Sequence, residues 1–238
     1  MQNAPLPFIP VQEVFYLWQL WVFIFCVHNL KTGRAKFYLY HYINNELTQD
    51  VKNITFFSDA CADQNCNNTG VLFLMNLVHS GQLKKISHIF PVRGHSFLLC
   101  DRDFGTLGRA DRIYTPEQYA ELIIRSSAKK QFSVKMVTSS DILSFKTWWP
   151  MNYKKTSISK ESVTYPRAER IVFQVSKFRH FKYQDRNPGH VLAREYVNGL
   201  IKHTFPLSLG PPPPLPTKCA FSTEKFQLTK RNLKILQN

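Results

Sequence analysis

The run Ile54-Thr55-Phe56-Phe57, closed at once by Ser58-Asp59-Ala60-Cys61-Ala62-Asp63-Gln64-Asn65, constrains the fold more than any other stretch of the chain. Apolar and β-branched residues that end on a carboxylate and a set of small and amide residues predict a buried strand over 53–58 opening into a polar turn. Beyond the turn, Val71, Leu72, Met75 and Val78 recur at helical spacing and predict a helix over about 65–79, followed by a strand over 86–91. Strand, acidic loop, helix and strand in that order suit a mixed α/β sheet, where the strand fixes a side chain and the loop after it leaves room for a ligand. Asp59 is therefore the first candidate for a catalytic acid. Asp101-Arg102-Asp103-Phe104-Gly105, after Gly94-His95-Ser96-Phe97, offers a second acidic loop, and two acidic strand ends have the donors to share a divalent cation. The same residues also have plain structural uses: Asp59 as the cap of the helix, Asp101 and Asp103 as a turn.

Further strands are predicted near 13–28, 34–42 and 132–137. Thr115-Pro116-Glu117 predicts a helix start, with Thr115 as N-cap, Pro116 in the first turn and Tyr119, Leu122 and Ile123 facing inward. Ser140-Asp141-Ile142 leads into a short helix ending near Trp148-Trp149-Pro150, and from Val163 onward the pattern is a small β-rich module with a helix or turn over 195–201. The prolines of 211–216 read as an extended spacer before a basic tail, or as a ligand for a proline-recognising partner. With 44% hydrophobic residues the chain can build a packed core. Its apolar stretch over 14–27 contains Gln19 and is too short to cross a bilayer, and the N-terminus has no basic leader, so neither a membrane partner nor secretion is expected. Five widely spaced cysteines, Cys26, Cys61, Cys66, Cys100 and Cys219, suit a reducing compartment. Cys61, Cys66, His95 and Cys100 could ligate zinc, although free cysteine is commonly a small buried hydrophobe.

Charge divides the chain. Residues 1–125 hold 11 Lys and Arg against 10 Asp and Glu, whereas residues 126–238 hold 20 against 6. Cations interleaved with aromatic rings, as in Lys177-Phe178-Arg179-His180-Phe181-Lys182-Tyr183, can neutralise phosphates while offering rings for base stacking. Strict alternation would put Phe178 and His180 on one face and Arg179 and Phe181 on the other, without deciding which face is buried. Lys154, Lys155, Lys177, Arg179 and Lys182 are the candidate nucleic-acid-binding residues, with DNA or RNA as the expected partner.

The chain resembles transposon-derived animal proteins with an RNase-H-like, integrase-type core. The resemblance rests on Gln2-Asn3-Ala4-Pro5-Leu6-Pro7, Gln19-Leu20-Trp21-Val22-Phe23 with Val27-His28-Asn29, and Phe57-Ser58-Asp59 with Gln64-Asn65. It continues in Gly94-His95-Ser96-Phe97 with Asp101-Arg102-Asp103-Phe104-Gly105, in Tyr153-Lys154-Lys155-Thr156, and in Gly199-Leu200 with His203-Thr204-Phe205. It implies an α/β fold: an RNase-H-like mixed sheet flanked by helices, incomplete, over 1–137. A basic β-rich module over 138–210 and a proline spacer with basic tail over 211–238 follow. The resemblance implies Asp59, Asp101, Asp103 and His95 as the catalytic set, with Asp59 and Asp103 binding Mg²⁺ or Mn²⁺ for phosphodiester transfer. Three departures stand out. The acid of the opening strand would precede Gln2, where this chain has Met1; the acidic pair after Phe37-Tyr38-Leu39-Tyr40 is replaced by His41-Tyr42; and Ala62 and Asp63 stand where the family has glycines. The implied protein is a transposase derivative that binds nucleic acid with an incomplete site, in the nucleus or cytoplasm. An active metal-dependent nuclease or strand transferase, and a protein-interaction module, are the alternatives.

Overall fold

The strands of the described residues fall in two sheets, and the second joins strands expected in the core with strands expected in the C-terminal β-rich module. The computed structural model describes residues 2–6, 20–39, 51–61, 66–91, 98–107, 113, 115–127, 129, 131–137, 143–161 and 170–217. β1 (Gln2–Leu6), β2 (Leu20–Asn29) and β3 (Arg34–Leu39) form an antiparallel meander, and β6 (Phe132–Met136) runs parallel to β3. β4 (Asn53–Phe57) and β5 (Lys85–Ile89) are parallel neighbours joined by α1 (Asn68–His79). From β5 the second sheet continues antiparallel through β7 (His180–Gln184), β8 (His190–Arg194) and β9 (His203–Pro206). With α2 (Leu99–Gly105), α3 (Pro116–Ser126) and α4 (Phe145–Asn152), the fold is mixed α/β. β4 does not extend the first three strands because β6 already pairs with the edge of β3 that β2 leaves free. Each sheet has its own core, Leu72, Met75, Ile86, Phe181, Tyr183 and Phe205 in one and Ala35, Phe104, Leu122 and Ile123 in the other. The division expected at 137/138 therefore runs through a sheet, since β7 to β9 extend the pair formed by β4 and β5.

Local chemistry sets the helix boundaries. α1 starts at Asn68, because the extended Asn67 accepts a hydrogen bond on its side chain from Gly70 N at 2.9 Å. Asp59 is not its cap. Leu72 and Met75 are fully enclosed, and each such side chain stabilises the fold by roughly 1.5–3 kcal/mol. α3 begins as expected, with Thr115 accepting from Gln118 N and Leu122 and Ile123 buried. The segment expected as an acidic turn is instead α2: Cys100 and Phe104, four residues apart, both pack into the core of the four-stranded sheet, and Asp101 sits in the first turn, where the helix dipole favours an anion. α4 passes through Pro150 to Asn152, two residues beyond the expected stop, and Tyr153 N closes it on Trp149 O. The strand expected over 13–28 is β2 from Leu20; residues 13–19 and 40–42 lie outside the described residues.

Two features tie the end of the second sheet. Gly189, in the turn between β7 and β8, has φ +70°, and its carbonyl accepts from both Leu207 N and Ser208 N. Glu161 Oε2 accepts from Thr204 N at 2.8 Å on β9. The proline run is not a free spacer: Asn76 Nδ2 donates to Pro213 O at 3.3 Å, Trp148 Nε1 donates to Pro214 O at 2.8 Å, and Leu215 packs on the core. No helix among the described residues is long and apolar enough to cross a membrane.

Candidate functional site

The expected acids fall in different surroundings. Asp59 follows β4 by two residues, and Ser58 N still pairs with Ile89 O, so the strand does position it at a sheet end. It is half-buried beside Cys66, whose thiol is pushed up by burial, then drawn down by Arg179 and raised by Asp59 and Cys61. Asp101 and Asp103 lie on a helix, not at a strand end, which corrects the paired-strand expectation. Two residues apart on a helix they point to opposite sides: Asp101 is exposed, whereas Asp103 is 4% exposed with Oδ2 2.6 Å from His28 Nδ1. Asp103 thus has one carboxylate oxygen engaged by His28 of β2. Among the described residues no group of three or more His, Cys, Asp and Glu has the geometry to hold a metal ion. His95 lies outside the described residues. The conceived zinc set is also divided, because Cys100 donates to Cys26 O at 3.3 Å on the first sheet whereas Cys66 packs in the core of the second.

The basic residues give a clearer geometry. A bulge resolves the alternation left open in 177–183: Arg179 N donates to Arg194 O at 2.9 Å while His180 is also paired with Arg194, so two residues oppose one. Phe178 and Phe181 are therefore both enclosed, and Arg179 and His180 are both half-exposed. From there β7 alternates, with Phe181 and Tyr183 inward and His180, Lys182 and Gln184 outward.

Strand register builds the outer face of the five-stranded sheet in rows. One row reads Thr55, Ser87, Lys182, Leu192 and Thr204 across the five strands. Phe57, Ile89, His180 and Arg194 form the next on one side, and Asn53, Lys85 and Gln184 the next on the other. Lys182 is at the centre. Its ammonium is drawn below the ordinary lysine range by burial first, and then by the positive charges of Lys85, Arg194, Arg186 and Lys202. His180, which meets Ser87 Oγ at 2.7 Å through Nε2, is likewise lowered by burial, with Val197 O opposing and Arg194 and Lys182 reinforcing. Among the described residues none of these five cations has a carboxylate partner, and Arg194 Nε is enclosed with no hydrogen-bond acceptor. Two rings are exposed nearby in the fold: Phe57 at the β4 end of the row that holds Arg194, and Tyr196 two residues beyond Arg194.

Of the five basic residues expected, Lys182 is thus the centre of the patch and Arg179 is in the bulge beside it. Lys177 is exposed in the 3-10 turn before β7, and Lys154 and Lys155 are exposed where α4 gives way to a strand bridge, Lys154 N donating to Leu207 O. Lys85, Arg186, Arg194 and Lys202 were missed. Cross-strand register brings Lys85 and Arg194 to Lys182, while Arg186 follows β7 and Lys202 precedes β9, and nothing in the spacing reports the grouping. Behind this face His88 is enclosed between Phe56 and Phe90, with Nε2 3.0 Å from Ser58 Oγ. Burial, and secondly His180, push its pKa down to about 4. Comparisons of the chain with protein-family models, with curated proteins and with solved structures find no match.

Proposed function

We propose that this protein binds nucleic acid through the outer face of its five-stranded sheet, and that it derives from a transposase with an RNase-H-like core that no longer assembles a competent phosphodiester-transfer site. The observation that carries the reading is the unneutralised cluster of Lys85, Lys182, Arg186, Arg194 and Lys202. Like charges gathered around Lys182, with no carboxylate partner among the described residues, are relieved by a polyanion, and binding phosphate releases the polyanion's counterions. Hydroxyls of Thr55 and Thr204 on the same face, and the exposed rings of Phe57 and Tyr196, suit sugar and base contacts. The RNase-H-like descent rests on the sequence resemblance, in which Asp59 matches an acid that follows a core strand. On this reading the chemistry is lost, and nucleic-acid binding needs neither Mg²⁺ nor Mn²⁺. A nuclear or cytoplasmic location goes with this reading.

Fluorescence anisotropy on labelled single- and double-stranded DNA and RNA across a salt series tests it. Binding should weaken steeply with salt, each phosphate contact adding roughly 0.7–0.9 to the slope of log K against log salt. Lys85→Ala, Lys182→Ala and Arg194→Ala together should flatten that slope by about 2–3 on every sequence alike. Binding absent at low salt, or unchanged in slope by the triple substitution, overturns the proposal. Purified protein with Mg²⁺ or Mn²⁺ should leave DNA intact; turnover abolished by Asp59→Asn would restore the enzyme reading.

A further inference from the structure

We infer that the cleft between α1 and α4 is a proline-recognition site whose resident ligand is the chain's own run 211–216. Prolines have no N–H, so those of the run can be held only through their carbonyls and ring faces. Both are met here. Trp148, 7% exposed, donates its indole N–H to Pro214 O at 2.8 Å, and Asn76, 1% exposed, donates from Nδ2 to the preceding carbonyl of Pro213 at 3.3 Å. The donors are fixed from behind. Tyr153 OH donates to Asn76 Oδ1 at 2.6 Å, which leaves the amide nitrogen pointing to Pro213, and burial pushes the Tyr153 hydroxyl up so that it stays a donor. Phe145 and Tyr153 set their rings edge-on to Trp148 at centroid distances of 5.6 Å, and Leu215 packs against the core beside them. Buried donors aimed at two successive carbonyls, with the donor Trp148 held in place by the rings packed on it, form a site built for an extended proline-rich strand.

The same chain delivers the ligand. After β9 the backbone runs against the end of α4: Leu209 N donates to Asn152 O, Lys154 N donates to Leu207 O, and Tyr153 bridges Ser208. Pro213 then lies only seven positions beyond Pro206, the last residue of β9. A tether that short holds the run at an effective concentration in the millimolar range, on the order of what a free peptide must exceed to displace it. The cleft is therefore closed to proline-rich ligands in trans while the strap is seated, and the run is not available to a proline-recognising partner.

The test uses the full chain labelled with ¹⁵N at tryptophan, with the Trp148 indole signal assigned by its loss in Trp148→Phe. In one variant the residues of 211–216 are replaced by alternating Gly and Ser, and a synthetic peptide with the sequence of residues 208–217 is titrated into each protein. The peptide should leave the Trp148 signal of the wild-type chain unmoved at tenfold excess. In the replaced chain it should move the signal saturably back toward its wild-type position. A replaced chain that ignores the peptide, or a wild-type chain that responds to it equally, overturns the inference. Should the replacement unfold the protein, exchange of the Trp148 indole proton in the wild-type chain decides: protection by more than about a hundredfold over free indole supports the seated strap, and exchange at the free rate refutes it.

Discussion

Acid should unfold this protein partly through one residue, His88. Its side chain is 4% exposed, and its pKa of about 4 lies below the ordinary 6.5, with burial the main cause and His180 the second. A histidine lowered in this way is neutral in the folded chain, so its contribution to stability is complete above pH 6.5 and is lost as pH falls from there toward 4. At about 1.36 kcal/mol for each pH unit between the two values, taking the protein from pH 7 to pH 4 should cost about 3 kcal/mol through His88 alone. His79 and His180 are also lowered, and the Glu161 carboxyl is too, because the N–H groups of Thr204 and of Glu161 itself outweigh the upward push of burial; all three act in the same direction. His88→Phe isolates the effect, since the ring joins Phe56 and Phe90 and the half-buried Ser58 hydroxyl loses only its imidazole partner. Urea unfolding of both proteins at pH 7, 5 and 4 gives the two profiles. The stability lost between pH 7 and pH 4 should be smaller in His88→Phe by about 3 kcal/mol. Profiles that run parallel to within about 1 kcal/mol would refute the assignment of buried neutral histidine.

Two substitutions probe the end of the second sheet and the helix pair behind it. Gly189→Ala forces a side chain into φ +70° and places its Cβ 2.6 Å from Ser208 Cβ, so it should cost at least about 1–3 kcal/mol and lower the thermal midpoint by several degrees; Ser208→Gly should recover only the part due to the clash. Tyr153→Phe leaves Asn76 Oδ1 enclosed without its 2.6 Å donor and should destabilise by about 1–3 kcal/mol in urea, with no change in nucleic-acid affinity.

What the sequence made legible was local. The apolar pattern of α1 and the Thr115-Pro116 start of α3 depend on neighbours within a turn, and both stand where periodicity puts them. The start of α1 was blurred because Asn65, Asn67 and Asn68 are all competent caps, and only the bond from Gly70 N singles out Asn67. α2 was hidden behind its composition: two acids and a glycine read as a turn, although Cys100 and Phe104 already had helical spacing. Pairings across long separations left no trace in the chain. Asp103 meets His28 across 75 positions, and Lys182 gathers Lys85 and Arg194 only through register. The division into two sheets belongs to the same kind, since whether β6 or β4 fills the edge of β3 is decided by tertiary contacts.

The bulge at Arg179 gives the surface a freedom that the interior lacks. A regular ladder counts residues in twos, so one residue more or fewer in β7 would exchange the enclosed Phe181 and Tyr183 for the outward His180 and Lys182. Here the surplus residue is set aside where Arg179 and His180 share Arg194, and Phe178 and Phe181 keep their inward places on either side of it. Without Arg179, the remaining order Phe178, His180, Phe181, Lys182 would still alternate inward and outward. The strand thus has a position where length can vary by one and charge by one, while the aromatic side of the sheet stays as it is.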